Sequence, residues 1–190
     1  RDAQESRGLG DVYKRQVNYV APYMLTRQLL PLMQPGCRIV NTVSCTYAIG
    51  RIEPDFFEKG RNGRFFRIPV YSNTKLALLL FTQEFAERLQ DKDITINASD
   101  PGIVSTNMIT MQAWFDPLTD ILFRPFIKTP AQGAATAIHL ALSDEAKDRN
   151  GCCYANCKKR NVSERIRHHA QQKQLWDDTE ILLRQKGIRF

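Results

Sequence analysis

"VYSNTKLALLLF", residues 70–81, sets Tyr71 four residues ahead of Lys75 and follows the pair with an apolar run. On an α-helix, positions i and i+4 share a face, with Cβ atoms about 5–6 Å apart. A phenol and an ammonium would then sit one turn apart. They are either a catalytic pair or two polar residues on the wet face of a core helix. Spacing alone does not decide, because Tyr154 and Lys158 repeat it and a short motif carries a real false-positive risk. The second pair lies in the cysteine-rich, strand-like "GCCYANC" (151–157), with no serine-bearing strand end to serve it, and reads as accidental.

The surroundings of Tyr71 are more specific. Upstream, "CRIVNTVS" (37–44) is short, apolar and β-branched, as a buried strand should be, and it ends in Ser44. Before it, residues 17–33 carry Leu25, Leu29, Leu30 and Met33 at helical spacing, with Asn18 near the start; Pro35-Gly36 stops that helix. Residues 51–69, rich in Gly, Arg, Phe and Pro, read as a long loop. The central helix is predicted from about Tyr71 to Leu89, with Leu78, Phe81, Phe85 and Leu89 as its stripe. "ITINAS" (94–99) is a second strand, closed by Asp100-Pro101-Gly102. Thr129-Pro130-Ala131-Gln132 forms a capping box with Pro at the first helical position and opens a helix to about Leu142. Residues 151–157 supply a third strand and 163–186 a last helix. Strands alternating with helices predict an α/β fold, a parallel sheet with helices on both faces.

Composition narrows the class. The chain has 190 residues, 43% of them hydrophobic, which suits one domain. No apolar stretch approaches the roughly 20 residues that span a bilayer. Five cysteines without a regular framework do not make a disulfide scaffold, so a reducing, cytoplasmic setting is expected. Cys152, Cys153, Cys157, His168 and His169 fit no standard zinc spacing, and no metal site is expected. The net charge of +7 is concentrated in residues 147–190, which hold 11 Lys+Arg against 5 Asp+Glu. Such a segment could meet an anionic surface. Its interspersed acids and its lack of an aromatic ladder favour a solvated helix face, and nucleic acid is not expected as a partner.

Taken together, "VN" with Asn18, "RIVNTVS" with Ser44, "YSNTK" with Tyr71 and Lys75, and "PGIVST" at 101–106 resemble the short-chain dehydrogenase/reductase family. The order and spacing of these pieces make the combination far more specific than any one of them. The resemblance covers about 17–190, and "FFRIPVYSNTKLALLLF", "FIKTPAQGA" and "YANCK" look closest to its retinol-dehydrogenase-like branch. It implies a Rossmann-like doubly wound sheet and an oxidoreductase that uses NADP or NAD. It also implies Tyr71 as general acid/base and Lys75 on the nicotinamide ribose. Ser44 would lie on the substrate oxygen and Asn18 on a proton-relaying water. Tyr71, Lys75, Pro101, Gly102, Ile103 and Thr106 would line the cofactor. The chemistry suits these residue types. A phenol with pKa near 10 is a poor base at neutral pH, and a neighbouring ammonium favours the phenolate. Alone, Asn18 and Thr106 would read as helix caps and Ser44 as a strand-end serine.

Two departures set further expectations. Residues 1–16 have no apolar period and read as a non-native or disordered tail; their "GLGD" follows no strand and is not a phosphate loop. No strand–glycine turn–helix of the kind that receives a dinucleotide precedes the Asn18 helix. Residues 17–190 are therefore expected to be an incomplete, C-terminal part of the domain, lacking its early strands and inactive without the glycine motif. A non-catalytic binding module and a basic membrane-surface protein stay open as alternatives, and so does a homodimer. The expected substrate is a small apolar alcohol, aldehyde or ketone. Met108, Ile109, Met111, Trp114, Phe115, Leu122, Phe123 and Phe126 would close over it, with the Phe-rich stretch 56–66 as the opposite wall.

Overall fold

A computed structural model describes residues 12–57, 67–104 and 127–190. The chain enters as a helix at residue 12, passes through one π turn, Gln16–Val20, and continues as α1, Ala21–Leu29. The helix thus begins before Val17, and its α-helical part ends at Leu29. A 3₁₀ turn at Leu30–Leu32 replaces the predicted last turn, since Pro31 cannot donate to the α ladder. Strand β1, Cys37–Thr42, stops two residues short of Ser44, because Ser44 caps a 3₁₀ turn at Cys45–Ile49. Helix α2 covers Arg67–Arg88, starting four residues earlier than expected. Pro69 falls within its opening turn, where the missing N–H costs no ladder bond.

Strand β2, Ile94–Asp100, is followed by α3, Pro130–Leu142, as predicted. In its capping box the Thr129 hydroxyl accepts from Gln132 N at 3.2 Å, and Thr129 N donates to Gln132 Oε1 at 2.9 Å. Strand β3, Cys153–Ala155, then turns through Asn156 and Cys157, both at positive φ, into the two-residue β4, Lys158–Lys159. That hairpin was not anticipated. The single last helix is in fact two, α4 at Glu164–Arg167 and α5 at Gln172–Gln185. At the break, His169 Nδ1 accepts from Gln171 N at 3.2 Å, a local bond that competes with the helix ladder.

The sheet order is β1-β2-β3-β4. β1, β2 and β3 are parallel, with Thr42 opposite Ser99 and Asp100 opposite Ala155; β4 is antiparallel to β3. The period-two alternation of strands separates two cores. Ile39, Ile94, Ile96, Ala98 and Cys153 join the large cluster with α1, α2 and α5. Val40, Cys152 and Tyr154 join Leu140 and Ala146 in the small cluster under α3. The α/β expectation of helices on both faces is met. In the large core, Trp176 of α5 stacks on Phe81 and meets Phe85 and Tyr23 at a tilt.

Among the described residues β1 is a terminal strand of the sheet. Along it and α1 runs a groove of about 790 Å³, lined by Pro22, Leu25, Leu29, Asn18, Lys75 and Thr42 among others. Phe56 and Phe57 do not stand as an open wall. Phe56 is buried, and its ring meets that of Tyr19 edge-on at 5.7 Å. The remainder of 56–66 beyond Phe57, and the flap residues from Met108 to Phe126, lie outside the described residues.

Candidate active site at the carboxyl ends of β1 and β2

In an open parallel sheet, reactive groups gather beyond the carboxyl ends of the strands. Here β1 and β2 end side by side, with Val43 N donating to Ser99 O at 2.9 Å, and α2 brings Tyr71 and Lys75 over the same end. Gly50 permits that approach. A Cβ there would stand 2.5 Å from the carbonyl oxygen of Ser72, so any side chain would push α2 away. Asn73 Oδ1 also accepts from Arg51 N at 2.8 Å, tying the turn to the helix.

The Ser44 side chain is close enough to the Tyr71 phenol to draw its pKa down, and its hydroxyl accepts from Thr46 N at 3.4 Å and Thr46 Oγ1 at 3.3 Å. Lys75 Nζ lies 5.6 Å from the centroid of the Tyr71 ring and donates to the carbonyl oxygen of Thr42 at 2.8 Å. Three of the expected residues are therefore together. Asn18 is near but indirect. Its Nδ2 donates to Thr74 Oγ1 at 3.3 Å, and Thr74 Oγ1 donates to Tyr71 O at 2.7 Å. Asn18 sits in the π turn, a feature that concentrates at functional sites. It shares the groove lining with Lys75.

The electrostatics differ from the simple expectation of a depressed phenol. Burial pushes the Tyr71 phenol above its ordinary range and the Asp100 carboxylate adds to this, while the Ser44 side chain pulls it down. Burial also pushes the Lys75 ammonium below its ordinary range. The ammonium spends its hydrogen bond on Thr42 rather than on the phenol oxygen.

Pro101, Gly102 and Ile103 follow β2 directly. Gly102 has φ +77, which favours glycine, and its N–H donates to Asp100 Oδ1 at 3.0 Å. Ile103 is exposed and its carbonyl accepts from Lys128 N at 2.8 Å. Thr106 lies outside the described residues. Sequence reading missed Lys128, whose Nζ bridges Pro101 O at 2.9 Å and Asn156 Oδ1 at 2.6 Å. It also missed Asp100, buried at 2% exposure, and its ion pair with Arg160 at 2.7 Å. Tyr154 and Lys158 lie on β3 and β4, so their spacing is not helical, and Tyr154 packs in the small core.

A profile of the short chain dehydrogenase family matches residues 58–114, which include Tyr71 and Lys75. Mouse retinol dehydrogenase 12 is 35% identical over 176 residues, covering 92% of this chain and 54% of that protein. Human retinol dehydrogenase 14 is 34% identical over 174 residues, covering 88% and 51%. Over the span it covers, the chain is similar to the short-chain dehydrogenases. It spans about half the length of the curated relatives it matches. The chain is also similar in structure to a blue fluorescent protein from a metagenomic library in complex with NADPH. The TM-score is 0.55 and the identity 26%, covering 73% of this chain and 51% of that one. Among the described residues, no group of three or more His, Cys, Asp or Glu could hold a metal ion, and no helix is long and apolar enough to cross a membrane.

Proposed function

We propose that the protein containing this chain interconverts an apolar alcohol and its carbonyl with NADP or NAD, with Tyr71 as general acid/base. The observation that carries this reading is the placing of Tyr71 with Lys75 Nζ 5.6 Å from its ring and Ser44 close by, at the carboxyl end of a parallel sheet. The names of the retinol dehydrogenase relatives and the NADPH of the structural neighbour support the substrate class and the cofactor.

The residues present fit the nicotinamide–ribose end of such a cofactor. Lys75 offers an ammonium on the wall of the groove beside β1, and the Pro101–Ile103 turn, with Gly102 at positive φ, follows the carboxyl end of the neighbouring strand β2. Among the described residues no glycine-rich turn joins a strand to a helix N-terminus for the pyrophosphate. When bound, the nicotinamide supplies the hydride acceptor or donor. The protein's part is proton transfer and charge stabilisation. In reduction, Tyr71 O–H donates its proton to the carbonyl oxygen as negative charge develops there, and the Ser44 hydroxyl donates a hydrogen bond to the same oxygen. In oxidation, the Tyr71 oxygen removes the alcohol proton. Lys75 favours the phenolate through space, and Asn18 sits where a water could link the groove to Lys75.

Replacing Tyr71 by Phe removes only the phenol oxygen, so turnover of a long-chain alcohol should fall by about 10²–10⁴-fold while nicotinamide cofactor binding, read by fluorescence, persists. Lys75→Met should weaken both. An unchanged rate in Tyr71→Phe would remove the proposed role.

A further inference from the structure

We propose that Arg160 is a positioning residue for the Tyr71 chemistry: it neutralises the buried Asp100 carboxylate at the carboxyl end of β2, next to the strand end over which α2 sets Tyr71, and lets that carboxylate pin the Pro101–Gly102 turn. This rests on the reading of Tyr71 given above. The carboxylate is divided between two jobs. Oδ1 accepts from Gly102 N at 3.0 Å, and Oδ2 accepts from Arg160 Nη1 at 2.7 Å. Both partners are placed by backbone. Asp100 is the last residue of β2, one position past the Ser99 that pairs β1, and it lies opposite Ala155 of β3. Arg160 follows β4, and its own N–H donates to Cys153 O at 2.8 Å. The β3–β4 hairpin therefore delivers a guanidinium to the end of the sheet that carries Tyr71.

Of the cations near this end among the described residues, Arg160 is the one that pairs directly with Asp100. Ser44, Cys45 and Tyr47 come from the turn after β1, Tyr71 and Lys75 from α2, and Cys153 from β3. Lys75 is committed to Thr42 O, and Lys128 to Pro101 O and Asn156 Oδ1. Asp100 and Arg160 act with opposite sign on the Tyr47 phenol and on the Cys153 thiol. Asp100 also acts on Tyr71. A carboxylate taken out of water with one cation beside it becomes a strong local field when that cation is removed.

The test titrates the phenol directly. The ultraviolet difference spectrum between the full chain and its Tyr71→Phe variant isolates Tyr71 from the other five tyrosines. In an Arg160→Met background the Tyr71 midpoint should rise by on the order of half a pH unit or more. In an Asp100→Asn background it should fall, because Arg160 is then unopposed. The double variant should return near the starting value, and Arg160→Lys should preserve it. Unmoved midpoints in both single variants, or shifts of the same sign, would overturn the proposal. If Arg160→Met does not fold, Arg160→Gln takes its place, with the same rise expected and an unmoved midpoint overturning the proposal. The pH profile of turnover separates the two ideas. If the midpoints move as expected but turnover ignores Tyr71→Phe, the acid/base reading fails and the charge coupling stands. If Tyr71→Phe abolishes turnover and the midpoints do not move, only the role of Arg160 fails.

Discussion

At the scale of single residues, the site combines a phenol whose proton is held more tightly than usual with an ammonium whose proton is held less tightly. The signs have a consequence for pH. A raised phenol remains a proton donor throughout the neutral range, which suits carbonyl reduction. Oxidation needs the phenolate, whose population grows only as pH climbs. Initial velocities should therefore show oxidation rising steadily into the alkaline range while reduction stays level across neutrality. An oxidation optimum on the acid side of neutral would contradict this assignment. Tyr71, Lys75 and Ser44 were legible in the sequence because helical spacing and a strand end fix their relative positions within 32 residues. Asp100 was seen only as part of a turn. Its partner lies 60 residues away, across a hairpin whose second strand is two lysines with nothing in their pattern to announce it.

At the scale of elements, the approach of α2 to the turn after β1 sets the site. Gly50→Ala, with its Cβ aimed at backbone rather than at a flexible side chain, should cost about 1–3 kcal/mol and shift the turn of α2 that bears Tyr71. Urea denaturation reads the stability cost, and turnover should fall in the same variant. Stability and rate both equal to the parent's would mean that the contact yields freely. Helix α3 was readable to the residue because a capping box is a local code. The π turn at Gln16–Val20 was not, since nothing in "QVNYV" distinguishes an i→i+5 turn from an α turn. The split of the last helix was also unreadable, because it depends on where the His169 side chain turns.

At the scale of the whole molecule, the large core is organised around aromatic rings from α1, α2 and α5. Trp176 is 5% exposed, with the Arg88 guanidinium 4.3 Å and the Arg27 guanidinium 5.1 Å from its ring. Trp176→Ala should destabilise the chain by about 3–5 kcal/mol, measured by chemical denaturation, far more than a surface change such as Lys173→Ala. The basic C-terminal segment holds paired side chains rather than a free cationic face at several places. Arg160 pairs with Asp100, Arg167 with Glu164 and Lys173 with Asp177.

The same core ties the two ends of the described chain together. The Tyr19 hydroxyl meets Thr179 Oγ1 at 2.8 Å, and the Tyr23 hydroxyl donates to Glu180 at 2.6 Å, across 160 and 157 residues of sequence. During synthesis these tyrosines wait for their partners until Gln172–Gln185 has left the ribosome. Contacts of such separation carry a loop-closure cost that slows folding. The neighbour of Tyr19 in the π turn is Asn18, so the groove wall that it shares with Lys75 acquires its final geometry late. A nascent chain holding Tyr71 and Lys75 in helix α2 still lacks that wall, and pulse-labelling of its amides should show the Asn18 turn gaining protection after the sheet.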